Sequence, residues 1–238
     1  MKPKVLIFDV YGTLLEVGPP PADADGQWTR LWKEILGVMP RLSRLDFAVA
    51  CSREVVARHE CARGLGIHYP EVSWPAIAQS VVPELCSVPT KQRELFILRQ
   101  MGTGHTTRLF GALVELLPAF KRKGYLLGIA SNAQAYTLTE LEWALGTARL
   151  DMTIFDPELM FWSYQHGFAK PDPHVFQILT ARLEHRGIMP AEALMVGDRQ
   201  DNDVDPPARF GWQTWWLTDS PGTEKSGSWE VLGERLMH

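Results

Sequence analysis

The sequence is short of cysteine, has no long hydrophobic run and carries no block of like charge. Its cysteines are Cys51, Cys61 and Cys86. An odd count without metal-ligand spacing excludes a thiolate zinc centre and argues against a disulfide framework. These residues read as small buried hydrophobes in a reducing compartment. No stretch approaches the roughly 18 consecutive apolar residues of a membrane span. The apolar run that starts at Val5 leaves no room for a signal peptide. A cytoplasmic protein without membrane association is therefore expected. A formal charge of −4 with no basic run gives no footprint for nucleic acid. The 7 histidines include no pair at ligand spacing on a helix.

What is present fits a globular enzyme-sized chain. Of its 238 residues, 45% are hydrophobic and 22% charged, enough for one sizeable core with or without an inserted unit. Several short apolar runs end at a polar residue: Val5 to Phe8 before Asp9, Tyr125 to Ala130 before Ser131, Met152 to Phe155 before Asp156, Ala193 to Gly197 before Asp198, and Gln213 to Leu217. Unbroken apolar runs are what strands buried on both faces look like. Helical spacing fills 109–123, 133–145 and 173–186, each followed by or ending at a glycine. This alternation predicts an α/β fold: a Rossmann-like parallel sheet with helices on both faces. Ligands of such sheets sit at the carboxyl ends of the strands, where Asp9, Ser131 and Asp198 fall.

The stretch 17–108 reads differently. It lacks buried-strand runs, and helices are expected around Trp28 to Ile35 and over 46–63, 74–85 and 91–100. Pro19, Pro20 and Pro21 at one end and Gly102, Thr103 and Gly104 at the other are expected hinges. The organisation expected is a core of 1–16 and 109–238 interrupted by a helical cap, 17–108. Trp28 and Trp32 would pack inside the cap or wall a pocket between cap and core. The tail 229–237 would form a short helix.

Four motifs carry chemistry. In Phe8-Asp9-Val10-Tyr11-Gly12-Thr13, a carboxylate at a strand end precedes a tight turn, which exposes it as a nucleophile. Taken alone, the same pattern merely ends a strand. Ser131 and Asn132 open a helix; the serine either caps it or, with nearby amides, holds an oxyanion. Lys170 before Pro171-Asp172-Pro173 is either a solvated lysine or a fixed cation over developing charge. Gly197-Asp198-Arg199-Gln200-Asp201-Asn202-Asp203 gathers carboxylates at a strand end, a donor set that suits magnesium, with Asp201 expected to be exposed.

Together and in this order, the four motifs resemble the haloacid dehalogenase superfamily over the whole α/β core, and the helical insertion matches the family's cap in position and length. The resemblance implies Asp9 as nucleophile, Thr13 and Ser131 as hydrogen bonders to the transferring group, with Asn132 beside them at the substrate, and Lys170 as neutralising cation. It implies Asp9, Asp198 and Asp203, supported by Asn202, as the magnesium site, with the Tyr11 backbone carbonyl as a further ligand.

The match is a hybrid. Phosphatases of the superfamily carry an acid/base aspartate where this chain has Tyr11, and a neutral tyrosine does not replace it at pH 7. A tyrosine there is typical of the metal-independent L-2-haloacid dehalogenases, which also use an arginine early in the cap; Arg30 is the candidate. Yet Gly197-Asp198 and Phe176 depart from that branch. Like charges about 4 Å apart repel by roughly 4 kcal/mol at an effective dielectric near 20, so clustered aspartates call for a cation. The expectation is a magnesium-dependent hydrolase of a small phosphorylated metabolite, monomeric or homodimeric. A haloacid dehalogenase and a catalytically weak metabolite- or partner-binding protein stand as alternatives.

Overall fold

The computed structural model describes residues 2–220 and 222–238. Six strands form one parallel sheet: β1 (Val5–Phe8), β4 (Leu126–Ser131), β5 (Met160–Trp162), β6 (Ala193–Gly197), β7 (Gln213–Leu217) and β8 (Ser226–Gly227), in the order β5-β4-β1-β6-β7-β8. Side chains alternate across a strand, so β1 divides its burial between two layers. Leu6 and Phe8 join Leu127 and Ile129 against Leu113, Leu117 and Phe120 of α5 (Leu113–Arg122), Leu141 and Leu145 of α6 (Ala135–Thr147), and Leu232 and Leu236 of α10 (Trp229–Met237). Val5 and Ile7 join Ala130 and Met195 against Val175, Phe176, Leu179 and Leu183 of α8 (Pro173–His185). Two short helices, α7 (Ser163–His166) and α9 (Asp205–Arg209), follow β5 and precede β7.

Helices α1 (Ala24–Leu36), α2 (Arg44–Gly64), α3 (Trp74–Val81) and α4 (Thr90–Gly104) surround a separate apolar cluster. Trp28 and Trp32 meet edge to face at 5.7 Å inside it and are 2% and 0% exposed. They are packing residues of that cluster. Helix α3 stops short of the expected end because Pro83 cannot continue it; a 3-10 turn follows over Pro83–Ser87.

Two strands link this unit to the sheet: β2 (Leu15–Gly18) and β3 (Thr106–Leu109) pair antiparallel, with Leu15 opposite Leu109 and Gly18 opposite Thr106. The expected breaks at 16/17 and 108/109 fall inside this ribbon. Gly102, Thr103 and Gly104 do not form a hinge but the last turn of α4, with Thr103 buried. The strand expected from Met152 to Phe155 is instead a 3-10 turn, because the Asp151 carboxylate accepts the Thr153 N–H at 2.8 Å and bends the chain. The edge position next to β4 goes to Met160–Trp162. Of the cysteines, Cys51 is buried while Cys61 and Cys86 are exposed, so the expectation of burial holds for one of three. No helix among the described residues is long and apolar enough to cross a membrane.

Candidate active site

Asp9 is the first residue past β1. Phe8 lies opposite both Ile129 and Val196 in register, and the Asp9 N–H donates to the Val196 carbonyl at 3.0 Å. The chain then turns sharply, with the Thr13 and Leu14 amides donating back to the Val10 carbonyl at 3.2 and 2.8 Å. Gly12 makes the turn possible twice over. Its φ is +75°, and a Cβ there would lie 2.4 Å from Asp198 Oδ2.

The ends of β1 and β6 and the loop before α8 bring four charges together. Asp9, Asp198 and Asp203 each offer an oxygen within 4.8 Å of the others. Lys170 Nζ donates to Asp9 Oδ1 at 2.8 Å and to Asp203 Oδ1 at 2.6 Å, with its side chain 1% exposed. Burial alone would lower the lysine, but the Asp203 and Asp9 carboxylates outweigh it and raise it, so Lys170 stays charged. An ion pair alone would hold Asp203 low; complete burial, helped by the charge of Asp9, instead pushes it up. Asp198 is also raised, first by burial and then by Asp9. Three carboxylates thus share one ammonium group.

A single turn of π-helix, Gln200–Val204, tucks Asn202 and Asp203 inward, a distortion frequent at functional sites. The Arg199 N–H donates to Asp203 Oδ2 at 3.1 Å, so both Asp203 oxygens are engaged. Asp201 is exposed and pairs with Arg199. The Trp216 indole N–H donates to the Asp198 carbonyl at 3.0 Å. Thr13 is fully buried with its hydroxyl 3.5 Å from Asp198 Oδ1. The Ser131 hydroxyl and the Tyr11 carbonyl make no hydrogen bond among the described residues, which leaves both open to a ligand.

Two expected site residues sit elsewhere or do something else. Asn132 spends its side-chain amide on the Lys170 backbone: its Oδ1 accepts the Lys170 N–H at 2.6 Å and its Nδ2 donates to the Lys170 carbonyl at 2.8 Å. These two bonds orient the lysine. Arg30 is exposed on α1 and pairs with Asp23 at 2.6 Å; it makes no contact with the carboxylate cluster among the described residues. It lies on the solvent side of an amphipathic helix, outside the cluster.

Sequence reading missed two polar groups that organise the site. The Tyr11 hydroxyl donates to Glu140 Oε2 and lies 3.1 Å from Thr137 Oγ1, so it faces α6. Burial and then Glu140 raise Tyr11 far above its usual range and keep it neutral. His105 Nε2 lies 3.1 Å from the other Glu140 oxygen. The second group is Glu71, in the segment entering α3. Its carboxylate accepts from the Gln134 side chain at 2.9 Å and from the fully buried Ser163 hydroxyl. Ser163 Oγ in turn accepts the Ala133 N–H at 2.8 Å. Backbone bonds reinforce the clasp: the Glu71 N–H donates to the Gly167 carbonyl and the Ala169 N–H to the Tyr69 carbonyl, both at 3.0 Å. Glu71 therefore ties the helical unit to the loops that carry Ser131 and Lys170. A Glu71→Ala variant is expected to lower kcat roughly 10- to 100-fold by misplacing those loops, with Glu71→Gln restoring part of the rate. Steady-state kinetics beside a thermal melt checks this; a wild-type kcat in Glu71→Ala would refute the coupling.

Residues 3–211 match the haloacid dehalogenase-like hydrolases. A phosphoglycolate phosphatase of Vibrio vulnificus is 27% identical over 218 residues, 90% of this chain and 83% of that protein. Among solved structures, an L-2-haloacid dehalogenase superposes with a TM-score of 0.59 at 16% identity, covering 100% of both chains. A magnesium-bound HAD-hydrolase of Bacillus subtilis superposes at 0.57 with 18% identity and 99% of each chain. At those identities the structural likeness speaks for the fold alone. With the sheet order, the strand-end carboxylates and a sequence match over residues 3–211, the chain belongs to the haloacid dehalogenase-like hydrolase family.

Proposed function

We propose that the protein is a magnesium-dependent phosphoric monoester hydrolase that works through an aspartyl-phosphate on Asp9, with residues 17–108 as the cap over the site. The observation that carries the reading is three carboxylates whose oxygens lie within 4.8 Å of one another, with one ammonium group bonded to two of them. At that separation each like-charged pair costs about 3.5 kcal/mol at an effective dielectric of about 20, and a divalent cation offsets it.

The donor set fits magnesium. Its ligands are hard oxygens, the donors that magnesium takes. Asp9, Asp198 and the free Tyr11 carbonyl would be direct ligands. Asp203, held by Lys170 and the Arg199 amide, supplies charge and fixes the lysine. Bound there, magnesium would neutralise phosphate charge and so ease the approach of an anionic nucleophile. The chain's residues do the rest. One Asp9 oxygen attacks phosphorus while the ester oxygen leaves with its electron pair. Ser131 donates to a phosphoryl oxygen, and Lys170 balances negative charge across the transfer. Water then attacks the phosphorus of the aspartyl-phosphate, which returns the Asp9 carboxylate and releases phosphate. Tyr11, neutral and committed to Glu140, supplies no acid for the leaving group, so water delivers that proton.

Tyr11 favours one second reading, displacement of halide by Asp9 from a haloacid without metal. Phosphate esters and 2-haloacids, each assayed with magnesium and with EDTA, separate the two. The proposal expects phosphate release that EDTA abolishes; halide release indifferent to EDTA would support the alternative. Because burial and Asp9 raise both Asp198 and Asp203, acid should protonate them and weaken metal binding. Calorimetric magnesium affinity is expected to fall at least about tenfold from about pH 7.5 to about pH 5. An affinity unchanged over that interval would contradict carboxylate ligation.

A further inference from the structure

A cavity of about 550 Å³ lies where the helical unit meets the sheet domain. That is an ordinary size for a small-molecule site. Its walls come from both sides: Val72 and Pro75 at the start of α3, Ile97 and Leu98 of α4, Tyr136 of α6 and Tyr164 of α7. The clasp through Glu71 holds these walls together.

Asp9, Ser131 and Lys170 do not line the cavity, but both loops that carry its neighbours run into it. Gln134 lines it three residues after Ser131, and Gly167 lines it three residues before Lys170. Three residues span at most about 11 Å of backbone, so the Cα atoms of Ser131 and Lys170 lie no farther than that from those of the lining residues Gln134 and Gly167. Ser131 is itself on the strand beside β1, one position beyond the level of Asp9. The two loops that carry Ser131 and Lys170 beside Asp9 thus also form part of the cavity wall.

The chemistry of the lining selects that group. Its walls are mostly aliphatic and aromatic, so they favour an apolar body. The Tyr136 hydroxyl makes no hydrogen bond among the described residues and offers one polar contact. Two carboxylates, Glu71 and Glu94, line the cavity, and among the described residues no lysine, arginine or histidine does. Glu71 is satisfied by its clasp partners, whereas Glu94 is exposed and has no ion pair among the described residues. An anionic tail would enter against two negative charges with no cation to meet it.

We infer that this cavity holds the alcohol portion of the substrate, and that the substrate class is phosphate monoesters of apolar, uncharged alcohols rather than of short hydroxy acids. The inference rests on the phosphatase reading above. It separates this chain by charge from a carboxylate-bearing ester such as phosphoglycolate, the compound that names the Vibrio vulnificus relative.

The test compares phenylpropyl phosphate with phosphoglycolate on the full chain with magnesium. Both are esters of primary alcohols, so the comparison reports the tail. The expected result is a kcat/KM at least about tenfold higher for phenylpropyl phosphate. Glu94→Lys should narrow that ratio about threefold or more by favouring the acid. Leu98→Trp, which fills the cavity, should raise KM for phenylpropyl phosphate without raising it for phosphoglycolate. Equal efficiency on both esters, or a ratio untouched by both variants, overturns the inference and leaves the phosphatase reading standing. If neither ester is hydrolysed, the phosphatase reading fails, and calorimetry with phenylpropanol tests the cavity alone. Binding to wild type that Leu98→Trp abolishes would retain it as an apolar-alcohol site; no binding would reject it.

Discussion

An Asp9→Asn variant is expected to lose at least about 10⁴-fold in kcat/KM, roughly 5.4 kcal/mol of transition-state stabilisation, while folding as well as the wild type. The amide keeps the shape of the carboxylate and removes the nucleophile. Lys170 keeps its bond to Asp203 at 2.6 Å, so no buried charge is orphaned. The change also takes one of three clustered carboxylates away from Asp198 and Asp203. In the absence of magnesium the variant should therefore melt at the wild-type temperature or above it. Initial rates and a circular dichroism melt on the same preparation decide the matter. A rate within tenfold of wild type, on a sample free of contaminating phosphatase, would remove Asp9 from the chemistry.

Lys170→Met should have a different signature, losing activity and stability together. Lys170 is the cation of a fully buried carboxylate, Asp203, which is 0% exposed. Removing one partner of such a pair typically costs about 3–5 kcal/mol, because the other charge stays buried without compensation. Methionine retains much of the lysine's apolar stem, so the loss reports the ammonium group rather than a cavity. Urea denaturation with EDTA present should show the full deficit. Magnesium should return part of it, since an ion that binds only the folded state stabilises that state. An unfolding midpoint equal to wild type in EDTA would mean that Asp203 finds another partner or takes up a proton without strain.

The two predictions differ because of where each residue sits in the fold, and the sequence disclosed that unevenly. The strands that end at Asp9, Ser131 and Asp198 were legible because a strand covered on both faces must be apolar throughout. The run from Met152 to Phe155 has the same composition and is not a strand. What decides is the Asp151 carboxylate capping a tight turn and the edge position being filled by Met160–Trp162, neither of which an apolar run records. The ribbon of Leu15–Gly18 with Thr106–Leu109 was invisible for the opposite reason. Its strands have four residues each, and the second is mostly polar, so no periodicity develops.

The same limit applies in the site. Asp9, Lys170, Asp198 and Asp203 announced themselves by standing at strand ends and helix starts. Glu140 and Glu71 did not, although a buried glutamate beside Leu141 on an apolar helix is a signal available in retrospect. Their partners lie far along the chain: Tyr11 is 129 residues from Glu140, and Ser163 is 92 from Glu71. Pairings of that kind depend on tertiary placement, which local pattern does not encode. Asn132 makes bonds to Lys170 that are hidden from sequence for a related cause. Its neighbour Ser131 is open to a ligand, but its own amide matches the backbone of Lys170, 38 residues away.

Mass spectrometry of the magnesium-loaded enzyme, acid-quenched during turnover of a phosphate ester in ¹⁸O-labelled water, probes the covalent step itself. The account predicts a phosphoryl group on the peptide that contains Asp9, absent from Asp9→Asn, with the label appearing in released phosphate and not in the protein. Phosphate released with no such adduct in rapid-quench samples and with Asp9→Asn still active would contradict it, as would label found in the Asp9 carboxylate.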